Sequence, residues 1–180
     1  MCHRHKFISI IFSLITLSAM TNSLSAFTIG SGESILLNIQ VHGAEYVYQQ
    51  YESQDEWNTV LGQIETGDKD WLKVAVAFYQ VSDAGPADML IYATGVALVN
   101  SPYYVLAVAA PVMSIEGVCG YPDMADPRFD TKEQTIAYLD ARIDVVSNLN
   151  PKDISDRKEQ CLEMLHKTRK EVSGPKGPFS

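Results

Sequence analysis

The stretch SQDEWNTVLGQIETGDKDWLKVAVAF, residues 53–78, decides the fold class. Ser53 and Glu56 have the S-x-x-E spacing of a capping box. Trp57, Val60, Leu61 and Ile64 follow at i, i+3, i+4 and i+7, which puts them on one face of a helix. Gly67 stops that helix and Asp68 can cap a second one. There Trp71, Val74, Ala75 and Phe78 repeat the spacing. Two amphipathic helices joined by so short a turn predict an αα-hairpin.

The same punctuation continues downstream. Ser82 to Pro86 form a break, and Pro86 suits the first turn of a third helix reaching about Val99, with Leu90, Ala93, Ala97 and Leu98 inward. Ser101 and Pro102 read as the cap and first residue of a short fourth helix that Pro111 ends. Residues 111–130, with Gly117, Gly120, Pro122 and Pro127, read as irregular. Asp130 and Glu133 are spaced as a capping box for a fifth helix with Ile136, Leu139, Ile143 and Val146 on its apolar face. Asp153 or Ser155 opens the last helix, where Ile154, Cys161, Leu165 and Thr168 share a face. Upstream, Ile35 to His42 alternate as a strand would, yet no partner strand is evident, and a helix followed by a second one over Ala44 to Tyr51 is the preferred reading. The expected fold is all-α, a short array of antiparallel helical hairpins.

Residues 1–26 carry a different message. Arg4 and Lys6 precede an apolar run from Phe7 to Met20, and Ser23 to Ala26 supply small residues before Phe27. This is the layout of a secretory signal peptide, so the protein is expected to be exported, periplasmic or secreted. The helical domain is then residues 27–173, with a disordered tail over 174–180. Cys2 leaves with the leader, and Cys119 and Cys161 are expected to bond in an oxidising compartment. The chain-entropy estimate for closing a loop of roughly 43 residues is about 4 kcal/mol of stabilisation.

Removing Arg4 and Lys6 from the 14 basic residues leaves 12 against 22 acidic ones, a net charge of −10. Such a chain repels nucleic acid, and a basic protein is the partner its charge suits. Met89 to Ile115 is 27 residues without a charge. Asn100, Ser101 and Pro102 interrupt it and basic flanks are missing, so the reading is a buried hairpin and no membrane span after signal cleavage. Its alternative is an apolar binding face around Tyr103, Tyr104 and Val105. Tyr46, Tyr48 and Tyr51 with Trp57 make a second candidate partner surface, because aromatics with polar tips are enriched at interfaces. No residue is assigned to catalysis, to a metal or to a cofactor. His42 and His166 show no catalytic signature, and Asp123, Asp126 and Asp130 lack the spacing of an EF-hand loop.

Trp57 with Leu61 and Ile64-Glu65-Thr66-Gly67, Trp71-Leu72, Asp83-Ala84-Gly85, Asn100-Ser101-Pro102, Val105-Leu106 and Val118-Cys119 occur in a familiar order. Over residues 43–120 the chain resembles a group of small exported bacterial proteins with stacked helical hairpins and no assigned activity. The resemblance implies a fold and no catalytic residue. The expected function is a non-enzymatic interaction protein. The alternatives are an immunity protein or inhibitor of a secreted cell-wall hydrolase, and a hydrolase using His42 or an aspartate from residues 123–130.

Overall fold

The computed structural model describes residues 30–51, 53–120, 126–175 and 178–179; the expected leader, residues 1–26, and Asp123 lie outside them. The described chain is all-α, with no strand among the described residues. Its helices are α1 (Gly32–His42), α2 (Ala44–Tyr48), α3 (Gln54–Glu65), α4 (Lys69–Tyr79), α5 (Ala84–Ala97), α6 (Pro102–Tyr104), α7 (Ala110–Met113), α8 (Ile115–Cys119), α9 (Lys132–Ser147) and α10 (Ser155–Ser173). The segment with strand-like alternation is α1. Ser31 caps it, accepting from the Ser34 N–H at 3.3 Å, and Gly43 at φ 88° ends it.

The caps explain most boundaries. Ser53 accepts from the Glu56 N–H at 3.2 Å, and its hydroxyl donates to the Glu56 carboxylate at 2.7 Å. Asp68 accepts from the N–H groups of Asp70 and Trp71 at 2.9 and 3.1 Å. Between them Gly67, at φ 77°, turns the chain; a Cβ there would sit 2.7 Å from the Ser101 Cβ, so only glycine fits. Asn100 donates its side-chain N–H to the Glu65 carbonyl at 3.1 Å, closing the end of α3 from the far side of the fold.

Three local expectations need correction. The capping box of α9 is Thr131 with Gln134, not Asp130 with Glu133: the Gln134 N–H donates to the Thr131 hydroxyl, and the Thr131 N–H to the Gln134 side chain. Both registers satisfy the motif, and the structure takes the one a residue later. Pro111 does not end the fourth helix. A π-turn over Val105–Ala109 precedes it, with the Ala110 N–H bonded to the Val105 carbonyl, and the helix continues as α7. Proline has no N–H for the ladder and crowds the carbonyl four residues back; one widened turn accommodates both. Residues 111–130 are also less irregular than expected, since α7, α8 and a 3₁₀ turn at Pro127–Phe129 lie within them.

Trp57, Trp71, Leu90 and Leu139 are all buried in one apolar core, joined by Val60, Ile64, Leu72, Phe78, Leu106, Met113 and Leu165. The most extensive packing is between α9 and α10; α3 lies principally on α5, and α4 on α1 and α5, so packing does not simply follow chain order. Of the 27 residues from Met89 to Ile115, 11 are buried and 6 exposed, Met89, Tyr104 and Val112 among the exposed ones. No helix of the described residues is long and apolar enough to cross a membrane. Phe179, in the C-terminal tail, is half-buried against the core.

Cys119 at the end of α8 and Cys161 on α10 are bonded, with their Cα atoms 5.4 Å apart. Beside them lies a group the periodicity did not reveal. Arg142 on α9 is 2 % exposed. It donates to the Gly120 carbonyl at 3.2 Å and to the Val118 carbonyl, and its guanidinium sits 5.2 Å from the Tyr138 ring centre. Burial pushes its pKa down from the usual guanidinium range. Gly95 lets α5 approach: a Cβ there would lie 3.2 Å from the Val118 carbonyl and 3.6 Å from the guanidinium.

Two stability outcomes follow from this core. Trp71→Ala is expected to cost about 3–5 kcal/mol in denaturant unfolding; unchanged melting would remove Trp71 from the core. Arg142→Ala is expected to cost a similar amount, about 3–5 kcal/mol, because it leaves a cavity and two buried carbonyls without donors. A melting temperature unaffected by that change would show that those carbonyls find other partners.

Candidate functional site

The tyrosines singled out from the sequence fall into three places. Tyr48 and Tyr51 join Trp57 and Phe78 in one aromatic cluster: Tyr48 packs edge-on against Trp57 at 5.5 Å between centres and against Phe78 at 5.6 Å, and Tyr51 lies 5.8 Å from Phe78. Tyr51 is buried and Tyr48 half-buried. Tyr46, one turn away, is 55 % exposed and rests against His42 at 5.3 Å. Tyr103 and Tyr104 pair with each other at 5.4 Å on α6, and the Tyr103 hydroxyl donates to Asp153 at 2.9 Å. That carboxylate, through the hydrogen bond, raises the Tyr103 phenol above its ordinary pKa.

The first cluster opens on a groove of about 420 Å³ lined by Tyr48, Gln49, Tyr51, Gln54, Trp57, Pro86 and Met89. α2 supplies one wall, α3 a second and the first turns of α5 a third. Burial, and then the charge of Asp83, raise the Tyr48 phenol; burial, and then Glu56, raise Tyr51. The indole N–H of Trp57 is buried without an acceptor. Buried polar groups nearly always find a partner, so this one is an exception within the groove wall. Asp83 occupies the N-cap position of α5 but makes no capping bond with its side chain.

Charge is distributed unevenly around this groove. Residues 30–127 hold 13 acidic residues and two basic ones, Lys69 and Lys73; residues 128–180 hold 9 acidic and 10 basic. The helices that line the groove, α2, α3 and α5, contain no lysine or arginine at all. Asp55, Asp83 and Asp88 are exposed there, and none has an ion-pair partner among the described residues. Gln49, Gln54, Pro86 and Met89 were not legible as site residues. Met89, apolar and at the start of the uncharged run, was their only sequence signal.

A second cluster joins α3, α5 and the 3₁₀ turn before α9. Arg128 donates to both Glu65 oxygens at 2.9 and 3.1 Å, to Asp126 at 2.8 Å and to the Tyr92 hydroxyl at 3.1 Å. Tyr92 in turn donates to Asp126. The Arg128 hydrogen bond holds the Asp126 carboxyl at about 2, below the usual carboxylate range. Burial and the Asp126 carboxylate push the Tyr92 phenol well up. Four of the five Arg128 N–H donors are committed within it, so this cluster ties elements together. The shallow depression beside it, about 500 Å³ between α5 and α9, has Val96, Val99, Ala137 and Ala141 among its walls.

His42 lies on α1 against Tyr46, and His166 on α10 near enough to Asp140 to lower its pKa, after the larger effect of Arg169. The two histidines have different neighbours and share no site. Among the described residues, no group of three or more histidine, cysteine, aspartate or glutamate side chains is placed to hold a metal ion. Asp126 caps the 3₁₀ turn before α9, accepting from the Arg128 N–H at 2.7 Å, and Asp130 at the end of that turn is exposed. Comparison of the chain with protein-family models, curated proteins and solved structures finds no match.

The ion cluster makes a pH prediction with a defined sign. A carboxyl whose folded pKa is about 2 and whose unfolded value is near the ordinary ~4 stabilises the fold above pH ~4. That contribution is lost as pH falls from ~4 through ~2. Allowing for solvent around the half-exposed guanidinium, it is on the order of 1–2 kcal/mol. Thermal melts across that window should flatten in Asp126→Asn, which should also melt lower at neutral pH. Identical slopes for variant and wild type would assign the acid sensitivity elsewhere.

Proposed function

We propose that this chain is an exported, non-enzymatic interaction protein whose α1–α5 face binds a basic partner protein. The observation that carries the proposal is the segregation of charge: all of the net negative charge belongs to residues 30–127, which include an aromatic groove whose helices have no lysine or arginine. Complementary potential steers encounter and rejects partners of like charge. Aromatic side chains at such a surface supply large contact area at small conformational cost. Export rests on the layout of residues 1–26 and is supported by the Cys119–Cys161 bond, which persists in oxidising compartments.

A narrower reading fits the same face: an immunity protein or inhibitor that neutralises a secreted cell-wall hydrolase of basic surface charge. An acidic, disulfide-bonded domain suits that task. Inhibition of such an enzyme in stoichiometric mixture would support it.

The test of the broader proposal is the salt dependence of binding to a basic protein. Raising salt from about 50 mM to about 300 mM shortens the reach of exposed charges to well under 10 Å and should weaken binding at least tenfold, mostly through slower association. Replacing His42 and His166 together by Gln should leave that binding within about twofold, since neither imidazole belongs to the groove. Loss of a measurable turnover in the folded double variant would put a hydrolase in place of the interaction protein.

A further inference from the structure

We propose that the groove between α2, α3 and the start of α5 seats a lysine or arginine side chain presented by an extended segment of the basic partner. The proposal rests on the acidic-face reading above and adds the point of contact and its chemistry. Four observations converge on it.

The first is the wall. Tyr48, Tyr51 and Trp57 face the groove with Pro86 and Met89. Lysine and arginine carry an apolar stem and a cationic head; the stem packs on such walls, and the head is attracted by aromatic faces. The second is the field. Asp55, Asp83 and Asp88 are exposed on the lining helices or their caps, no lysine or arginine of those helices offsets them, and the Asp83 side chain is not engaged by its own helix. An anionic ligand has no counter-charge here, and a neutral one leaves the field unused.

The third is the Trp57 indole N–H, buried without an acceptor in a side chain only 7 % exposed. That N–H is closed off from solvent, so Trp57 meets the groove through its other ring atoms, an apolar and aromatic contact on which the stem and head of a cationic side chain pack. The fourth is the amides at the rim. Gln49 and Gln54 line the groove, and Gln54 has only one of its amide N–H groups committed, to Asn58 at 2.9 Å. Amides that donate and accept suit the main chain of an extended segment.

The experiment uses the full mature chain carrying Trp71→Phe, which leaves Trp57 as the single indole of the two in the sequence. The probes are a capped seven-residue Ala/Ser peptide with one central arginine and the same peptide with citrulline, which keeps shape and removes charge. The expected result is a saturable change in Trp57 emission with the arginine peptide, about tenfold weaker with citrulline. Met89→Lys, at a residue 37 % exposed, places a fixed cation at the mouth and should weaken the arginine peptide at least tenfold while the chain stays folded. Should Trp71→Phe fail to fold, the Met89 methyl resonance of the unmodified chain reports the same titration. Equal affinity for the two peptides, or binding unmoved by Met89→Lys, overturns the proposal. Poly-L-lysine separates the acidic face from the groove. If it binds wild type and Met89→Lys alike and is released by salt, the acidic-face reading stands and the groove assignment falls. If it binds neither at low salt, both fall.

Discussion

The fold turns on one buried cation. Arg142 has no carboxylate partner among the described residues, and two carbonyls and a tyrosine ring hold its charge. Those carbonyls belong to Val118 and Gly120, on either side of Cys119, where the short α8 ends and its carbonyls lack helical donors. The guanidinium thus supplies a charge-assisted cap to a five-residue helix that its own backbone would hold poorly. The disulfide fastens the same point to α10, and Gly95 clears the space that lets α5 close over it. Remove the cation and the meeting place of α5, α8, α9 and α10 loses its polar order, although its apolar residues remain.

Elsewhere the basic residues of the C-terminal part are used for architecture. Lys158 donates to the Ser147 and Leu149 carbonyls at 2.7 and 2.6 Å, closing the end of α9 from α10. Lys132 reaches the Ser173 carbonyl at 2.9 Å at the other end of the pair, and Arg169 pairs with Asp140. Arg128 pairs with Glu65 and Asp126. The cations hold helices together, and the groove region is left with carboxylates that none of them offsets. The charge asymmetry of the surface is in this sense a by-product of where the fold needs its arginines and lysines.

Helix periodicity and capping chemistry are local, and they were legible. The faces of α3 and α4, the caps Ser53 and Asp68, the inward Cys161 and the preference for helix over strand in α1 all follow from residues within a turn or two of each other. The errors mark where local rules compete. Thr131/Gln134 and Asp130/Glu133 are both capping boxes, and nothing in the pattern ranks them. Pro111 reads as a stop because a proline normally is one; only the tertiary packing of Leu106, Ala109 and Met113 makes a widened turn worthwhile. Arg142 gives no sequence signal of its role, because charge is seldom buried and its carbonyl partners lie more than twenty residues upstream. The groove was half legible: its aromatics stand out, but Met89 and Pro86 reach it through the packing of α5 on α3, which no spacing reveals.

The Cys119–Cys161 bond also changes what a single cut to the backbone means. Residues 119–161 form a covalent ring that contains all of α9 and the opening turns of α10. A protease acting once anywhere inside that ring opens it without releasing a fragment, because the sulfur bridge still joins both pieces. The acidic segment upstream and the helix pair downstream would stay one molecule, with Arg142 still in its seat as long as the core remains packed. Only reduction would turn such a nick into separation. Against such a cut the bond gives a durability that melting temperature does not measure.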